Sequence, residues 1–423
     1  MRERLLTAFV AAFVLGGVPV VLAQEPIRGE RVTFEQAIER ATERNPTVGQ
    51  ASQAILRAQA LLDQAKSVFR PTLYGGVGTT ILDAARGFDG NVTQPRTQSA
   101  FNATLSYAFL DAARWAAKSQ AADQVGIARI SAEETRRQVA VTAAQAYLAV
   151  VAAQRQREIA IRDLETAGAL EDYARARLEA GKGSRLNHVR STQELAAAEG
   201  RLQLAELLLQ RAQEALGVAL FADAPVDADG DPEMKPAAPP SSDAWLLQRP
   251  DVRLFGAQVQ AADRVVRDSW KSWFPTGTAS FTPKYVTPPG LFEPAKTWRA
   301  LFQLQIPIYD GALGPEKRVH IADRETARLR LDAVTVQARA ELRLAQGSVA
   351  RNEQIVATSG RAAESAAEAL RISEIAYRAG ATSNIEVVQA QQTARNAEIV
   401  AALAEDGLRQ ARLDLLVALG QFP

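Results

Sequence analysis

The sequence offers few of the side chains that carry out chemistry in enzymes. It contains two histidines, His188 and His320, and no cysteine. Without cysteine there is no thiol nucleophile, no thiolate metal cluster and no disulfide. No paired-histidine helix motif and no phosphate-binding glycine pattern accompanies the histidines. We therefore expect no enzyme active site, no metal site and no cofactor, and we interpret both histidines as solvated helix residues.

The composition favours long helices and gives no reason to expect a polyanionic partner. The chain is 47% hydrophobic and 23% charged, with a net charge of +1, so nothing in its charge favours nucleic acid. Aromatic residues make up only 6%. A helical core must then consist largely of alanine, leucine and valine, which suits long helices side by side better than one compact globule.

The N-terminal segment has the features of an export signal. Arg2 and Arg4 precede an apolar run, Leu5–Leu22, which two glycines and a proline interrupt before a small-residue cleavage site. Residues 1–23 are therefore predicted to be a signal peptide. A membrane anchor is the alternative, since a run of this length is just sufficient to cross a bilayer. Gln24 stands where a lipoprotein has cysteine, so no lipid anchor is expected.

Two segments have the pattern of a joint between long helices. Leu178–Glu194 contains Gly181, and Arg378–Thr393 contains Gly380. Each glycine suits the left-handed residue after a helix, and a following serine or threonine can cap the next helix. The two glycines are 199 residues apart, so the sequence predicts the same helical hairpin twice.

Matching segments extend this duplication over most of the chain. The matches are Asp111 with Asp310, Pro46 with Pro250, Pro71 with Pro275, and Ala215-Leu216-Gly217 with Ala418-Leu419-Gly420. Their separations are 199, 204, 204 and 203 residues. The last value places a change of offset within the final helix.

The order of elements is the same in both predicted repeats. The first repeat covers residues 24–221, and the second covers 242–423 after an acidic, proline-rich linker at 222–241. We predict strands at about 72–84, 98–110, 276–286 and 296–308. Helices are predicted at about 47–70, 112–180, 184–217, 251–274, 313–379 and 383–420.

The predicted strands alternate apolar and polar residues, as membrane strands do. The residues predicted to face lipid are Phe101, Leu105, Tyr107, Trp298, Phe302 and Leu304, and those predicted to face the lumen are Asn102, Thr104, Ser106, Arg299, Gln303 and Gln305. A small sandwich or sheet cap with one wet face remains the alternative. Four strands cannot close a barrel, so membrane strands would require several chains. Two chains would give a nearly filled barrel, and three would leave room for a pore.

The whole pattern resembles the TolC-type outer-membrane efflux proteins. The resemblance rests on the repeated order of helix, two strands and long helical hairpin, on Val32–Pro46, on Tyr309-Asp-Gly at the start of the long helix, and on Tyr377–Gln391. It implies a mainly α fold with β structure, in which a homotrimer forms a 12-stranded outer-membrane β-barrel continued by a periplasmic α-helical barrel. The implied partners are outer-membrane lipid, a periplasmic adaptor and an inner-membrane pump of a tripartite efflux or type I secretion system.

The resemblance also assigns roles to the hairpin tips. Ala180, Gly181, Lys182, Ala379, Gly380 and Ala381 correspond to the segments that meet the adaptor. Tyr377, Asn187, Glu386 and Gln389 correspond to the periplasmic gate, with Tyr377 expected to bond to Asn187. Glu386 can alternatively serve only as the third residue of a capping box that begins at Ser383.

Two other classes of protein are possible on sequence alone. A periplasmic coiled-coil scaffold or adaptor also combines a helical hairpin with β structure, but it would not duplicate the whole unit of strands and hairpin. The second class is an enzyme, but the sequence contains no recognisable set of catalytic residues.

Overall fold

The computed structural model describes residues 30–234 and 243–422. The predicted signal peptide and the last part of the predicted linker, 235–241, lie outside these residues. Within them, the chain is mainly helical, with a four-stranded antiparallel sheet and two smaller pairs of strands. The expectation of a mainly α protein with β structure is confirmed.

The elements follow the same order in both halves of the chain. The first half contains β1 (Glu30–Val32), α1 (Phe34–Arg44), α2 (Pro46–Ser67), β2 (Thr72–Ile81), β3 (Arg86–Phe88), β4 (Asn91–Gln94), β5 (Thr97–Leu110), α3 (Ala112–Glu179) and α4 (Arg185–Ala219). After β6 (Val226–Ala228), the second half contains α5 (Pro250–Asp268), β7 (Thr276–Thr287), β8 (Lys296–Gln305), α6 (Leu313–Arg378) and α7 (Asn384–Ala418). Short 3-10 helices cover Asp243–Gln248 and Ser269–Trp273.

Two very long helices, α3 and α6, dominate the molecule. They contain 68 and 66 residues, which corresponds to about 100 Å each at ~1.5 Å per residue. The Asp111 side chain caps α3 by accepting a hydrogen bond from the Arg114 amide over 3.0 Å. Each long helix packs against the helix that follows it, so α3 with α4 and α6 with α7 form two hairpins.

From the end of the long helix onwards, the two hairpins have helix boundaries at equivalent positions, and this corrects one expectation from the sequence. Both α4 and α7 contain 35 residues and end 199 residues apart, so the predicted change of offset to 203 is wrong. At the left-handed position after the helix, Gly420 (φ 69°) corresponds to Phe221 (φ 54°). The alignment of Gly217 with Gly420 was therefore incorrect, because Gly217 lies inside α4 and Gly420 follows α7.

Two of the four strands of the sheet, β2 and β8, are shorter than the alternation of residues suggested. β2 ends at Ile81 instead of 84, and β8 ends at Gln305 instead of 308. The reason is pairing: Gln305 already lies opposite Thr276, the first residue of β7, so the chain beyond it has no partner strand. The connection between β2 and β5 contains the β3–β4 hairpin, whose turn residues Asp89 and Gly90 both have positive φ.

Two further departures concern α1 and α5. Helix α1 was not predicted, although Thr33 and Gln36 form a capping box with hydrogen bonds of 3.0 and 3.3 Å. One helix was predicted over 251–274. Helix α5 instead ends at Asp268, and a 3-10 helix continues the chain to Trp273.

The described part of the linker is folded onto the middle of the helices. β6 pairs in parallel with β1, and Val226 packs in a core with Tyr147, Leu216 and Leu220. The Tyr147 hydroxyl donates hydrogen bonds to the carbonyl oxygens of Asp229 and Gly230, over 3.1 and 2.9 Å. Burial, together with the nearby Asp229 carboxylate, raises the pKa of Tyr147 to about 12.

Candidate functional site

The register of the four-stranded sheet separates an apolar face from a polar face. The strand order is β2-β5-β7-β8, and Leu105 pairs with both Leu73 and Phe281. Because neighbouring residues of a strand point to opposite faces, this register puts one set of apolar residues on one face across all strands. That face carries Phe101, Leu105, Tyr107, Trp298, Phe302 and Leu304, and the opposite face carries Asn102, Thr104, Ser106, Arg299, Gln303 and Gln305.

Side chains on each face support this division. On the polar face, the hydroxyls of Thr104 and Thr282 lie within 3.1 Å of each other. On the apolar face, the Phe109 ring lies over Gly277, where a Cβ atom would be only 2.6 Å from the ring. The apolar side chains are exposed in the single chain, with Phe302 at 78% and Trp298 at 69%. Strands β2 and β8 form the two open edges of this sheet.

Both hairpin tips end their first helix in the same way. At the first tip, the Gly181 amide donates to the Leu178 carbonyl and the Lys182 amide to the Arg177 carbonyl, over 3.0 and 2.9 Å. The second tip repeats this Schellman motif, with φ of 70° at Gly181 and 78° at Gly380. The residues predicted to dock the adaptor are all exposed: Ala180, Gly181, Lys182, Ala379, Gly380 and Ala381.

Glu386 is held by hydroxyl groups at the start of α7. Its carboxylate accepts hydrogen bonds from the hydroxyl groups of Thr382 and Ser383. The capping box, which was the alternative role for Glu386, is not formed, since the Ser383 side chain accepts no hydrogen bond from the helix. Glu386 and Gln389 are both exposed on the first turns of α7.

Tyr377 is buried beside the second tip, where its aromatic ring packs against side chains of α3. The side chain is 6% exposed and lies edge-on to Tyr173, with ring centroids 5.4 Å apart. The Arg177 guanidinium lies 5.9 Å from the Tyr377 ring centroid. Tyr377 forms no hydrogen bond with Asn187 in the single chain, where both residues are described.

Near the tips, a buried hydrogen bond between the hairpins is formed instead by Asn384 and Ser191. The Asn384 side-chain amide donates to the Ser191 hydroxyl over 3.3 Å, and both residues are at most 1% exposed. Ser191 also donates to the Asn187 carbonyl oxygen over 3.0 Å. Asn187 therefore lies one hydrogen bond away from this inter-hairpin contact.

A buried cluster of charges joins the hairpins further from the tips. Asp163 of α3 and Glu194 of α4 are both bound by Arg201 of α4 and Arg395 of α7, at distances from 2.7 to 3.4 Å. Gln392 donates a further hydrogen bond to Glu194 over 3.2 Å. Burial raises the pKa of Glu194, but hydrogen bonds from Arg201, Gln392 and Arg395 outweigh it and hold the pKa below its ordinary value.

Ion pairs continue this contact along α3 and α7. Arg162 pairs with Glu398 over 2.5 Å, and Arg155 pairs with Glu405 two helical turns further along. None of these four residues was predicted from the sequence to have a role. The spacing of seven residues in each helix was the available signal, because it keeps both members of each pair on facing sides.

The histidines are less solvated than expected. The His188 side chain is 28% exposed, and its Nδ1 atom lies 3.4 Å from the buried carboxylate of Glu171. His320 lies 3.7 Å from Glu316 with 27% of its side chain exposed. The described residues contain no group of histidines and carboxylates arranged to hold a metal ion. Among the same residues, no helix is both long enough and apolar enough to cross a bilayer.

The fold and these surfaces define a class: a duplicated protein whose long helical hairpins carry a sheet with one apolar face. The model of the outer membrane efflux protein family matches residues 37–220 and 242–421, which is most of the chain. The chain therefore belongs to the outer membrane efflux protein family. It is a channel protein of the outer membrane, with its helical region in the periplasm, and this family is a transport family and not an enzyme family.

Solved structures of outer-membrane channels share this fold. The outer membrane protein VceC of Vibrio cholerae is 17% identical with a TM-score of 0.77, over 92% of this chain and 96% of that one. The CmeC channel of Campylobacter jejuni is 16% identical with a TM-score of 0.80, over 99% and 94%. The MtrE channel of Neisseria gonorrhoeae, solved in its open state, is 18% identical with a TM-score of 0.78, over 92% and 88%. No curated protein sequence matches the chain significantly.

The family match covers both halves of the chain in the same order as the two hairpins. Because a periplasmic scaffold or adaptor would not duplicate the whole unit of strands and hairpin, this match to both halves does not favour that alternative.

Proposed function

We propose that three copies of the chain form one closed barrel of twelve strands in the outer membrane. The observation that carries this proposal is the open four-stranded sheet with one continuous apolar face. Open edges in hydrocarbon leave backbone groups without hydrogen bonds, so each sheet requires neighbours. Two sheets would give a barrel nearly filled by side chains, whereas three leave a pore.

In this arrangement the apolar face contacts lipid and the polar face lines the pore. An arginine side chain that faces lipid at the bilayer midplane costs about 2–4 kcal/mol. This cost favours an orientation in which the polar face of the sheet, which carries Arg299, faces water. The long helices of the three subunits continue the pore as a periplasmic tunnel. The channel receives substrates from an inner-membrane pump through a periplasmic adaptor, in a tripartite efflux or type I secretion system.

The hairpin tips form the periplasmic entrance of this channel. Their exposed small residues, centred on Gly181 and Gly380, form the docking surface for the adaptor. Tyr377, Asn187, Glu386 and Gln389 belong to the gate at this end. Three copies of Glu386 around the axis would attract cations to the entrance.

Spin labels test the membrane assignment directly, since the chain has no native cysteine to label. Single cysteines replace Phe302 and Gln303, which are neighbours on opposite faces of β8. In the barrel, the label at 302 is relaxed by lipid-soluble oxygen and the label at 303 by an aqueous nickel complex. Equal access at both positions would contradict the barrel. Native mass spectrometry of the purified protein measures the number of subunits, and a stable monomer would contradict the trimer.

A further inference from the structure

The duplication relates two surfaces of the molecule that have different surroundings. Within the chain, β5 pairs with β7, and α3 packs against α5 and α7. In the second repeat, β8 corresponds to β5 and α6 corresponds to α3. Their partners would be β2 and the helices α2 and α4 of the first repeat, which lie at the opposite side of the same chain. The single chain thus contains the contact of the first repeat with the second. It also carries the two surfaces that would form the equivalent contact of the second repeat with a first repeat, but these surfaces do not meet within one chain.

We propose that β8 and α6 of one subunit pack against β2, α2 and α4 of the next subunit, in the register that joins the two repeats within one chain. This inference rests on the proposed trimer. It assigns residue pairs to the interface between subunits, which the number of subunits alone does not.

The strand register follows from the offsets that the structure preserves. The hairpin β2–β5 pairs Leu73 with Leu105, and β7–β8 pairs Gly277 with Leu304. These are equivalent positions at offsets of 204 and 199 residues, so both repeats have the same register. Between the repeats, Leu105 pairs with Phe281. The equivalent pair between subunits is Leu304 with Val77 of the next subunit.

Both residues of this strand pair suit the position. Leu304 is 57% exposed and Val77 is 73% exposed in the single chain, and each lies on the apolar face. The new pairing would extend the apolar face around the barrel without interruption. It would also satisfy the backbone groups of both open edges.

The helices supply an ion pair by the same equivalence. Within the chain, Arg162 of α3 binds Glu398 of α7 over 2.5 Å. Their equivalents at an offset of 199 residues are Arg361 of α6 and Glu199 of α4. Both are exposed, and neither forms an ion pair within the described chain; Arg361 donates only to the Ala357 carbonyl oxygen, over 3.3 Å. Arg361 would therefore pair with Glu199 of the next subunit.

Nearer the membrane, the equivalence predicts an apolar contact. Ile130 of α3 and Gln260 of α5 line one cavity of about 590 Å³ between these helices. Their equivalents are Leu329 of α6 and Leu56 of α2, which are 68% and 54% exposed. A leucine pair at the interface between subunits would bury apolar area that the single chain leaves in water.

Cysteine cross-linking tests the strand register. The variant with Val77→Cys and Leu304→Cys should form disulfides between subunits and give covalent dimers and trimers on a denaturing gel, since directly opposed Cβ atoms are about 4.5–5.5 Å apart. The variant with Leu105→Cys and Phe281→Cys is the matched control, and it should form the equivalent disulfide within one subunit.

A second pair distinguishes the proposed register from a shifted one. Leu73 lies four residues before Val77 on the same strand, about 13 Å away, so Leu73→Cys with Leu304→Cys should not cross-link. Cross-linking of this pair, or of neither pair in a protein that native mass spectrometry shows to be trimeric, would overturn the inference. A wild-type protein that is not trimeric would overturn the proposed function itself.

Charge reversal tests the helical part of the interface. Arg361→Glu and Glu199→Arg should each lower the temperature at which the trimer dissociates, and the double variant should recover most of that loss. Arg371→Glu is the control, because Arg371 pairs with Glu368 of its own helix over 2.6 Å. Equal losses in the single and double variants would overturn the assigned pair.

Discussion

The Asn384 side-chain amide hydrogen-bonds to the Ser191 hydroxyl between the two hairpins, and both side chains are almost completely buried. This contact lies close to the tips, where α4 and α7 begin. Ser191→Ala should destabilise the protein by about 1–3 kcal/mol, because it leaves the buried Asn384 amide without its partner. Thermal unfolding of the helices measures this loss. In a double-mutant cycle with Asn384→Ala, a coupling energy near zero would contradict the contact.

Replacement of Tyr377 separates the role of its ring from that of its hydroxyl. Tyr377→Phe should leave conductance in planar bilayers unchanged, because the hydroxyl forms no bond to Asn187. Tyr377→Ala should destabilise the tip by about 3–5 kcal/mol, since the buried ring packs against Tyr173. Higher conductance in the Tyr377→Phe variant would show that the hydroxyl does hold the assembled gate closed.

Neutralisation of Glu386 tests the charge of the proposed gate. Glu386→Gln should reduce cation selectivity and block by multivalent cations, because it removes three carboxylates from the entrance of a trimer. Ion selectivity in planar bilayers provides the measurement. Glu43→Gln is the control, because Glu43 is an exposed residue of α1, away from the tips. Selectivity that is unchanged in Glu386→Gln would remove this residue from the gate.

The buried charge cluster should make stability depend on pH. The pKa of Glu194 is lower in the folded protein, so its contribution is present above the unfolded pKa and is lost as the pH falls through the folded value. Glu194→Gln should cost about 3–5 kcal/mol at pH 7, and this cost should shrink on acidification. Thermal unfolding at several pH values measures both effects. Glu214→Gln, an exposed change in the same helix, should show no such pH dependence; an equal dependence in both variants would exclude Glu194 as its source.

Enlargement of Ala180 and Ala379 tests the docking surface at the tips. Both residues are exposed and have ordinary negative φ of −74°, so leucine at each position should leave the trimer intact. Export of a fluorescent substrate from cells should fall, because the larger side chains block approach of the adaptor. Gly181→Ala provides the contrast: it strains a residue with φ of 70° and should lower stability by about 1–2 kcal/mol. Unchanged export with both leucines in place would count against docking at these residues.

Features that depend on local chemistry could be predicted from the amino-acid sequence. A left-handed residue after a helix favours glycine, so Gly181 and Gly380 marked the hairpin tips. Period-two alternation identified the strands and assigned their residues to two faces, since side chains alternate along any strand. Glycine does not identify every such position, because Phe221 is a left-handed residue after a helix and is not glycine.

The residues that meet between the hairpins could not be predicted from the sequence, because they are far apart along the chain. Ser191 and Asn384 are 193 residues apart, and Asp163 and Arg395 are 232 apart. Such contacts depend on the rotation of each helix about its axis and on its displacement along its neighbour. Many rotations of an alanine-rich helix bury similar apolar area, so local pattern does not select one. The strand ends and the left-handed Phe221 were decided in the same way, by pairing and packing with distant parts of the chain.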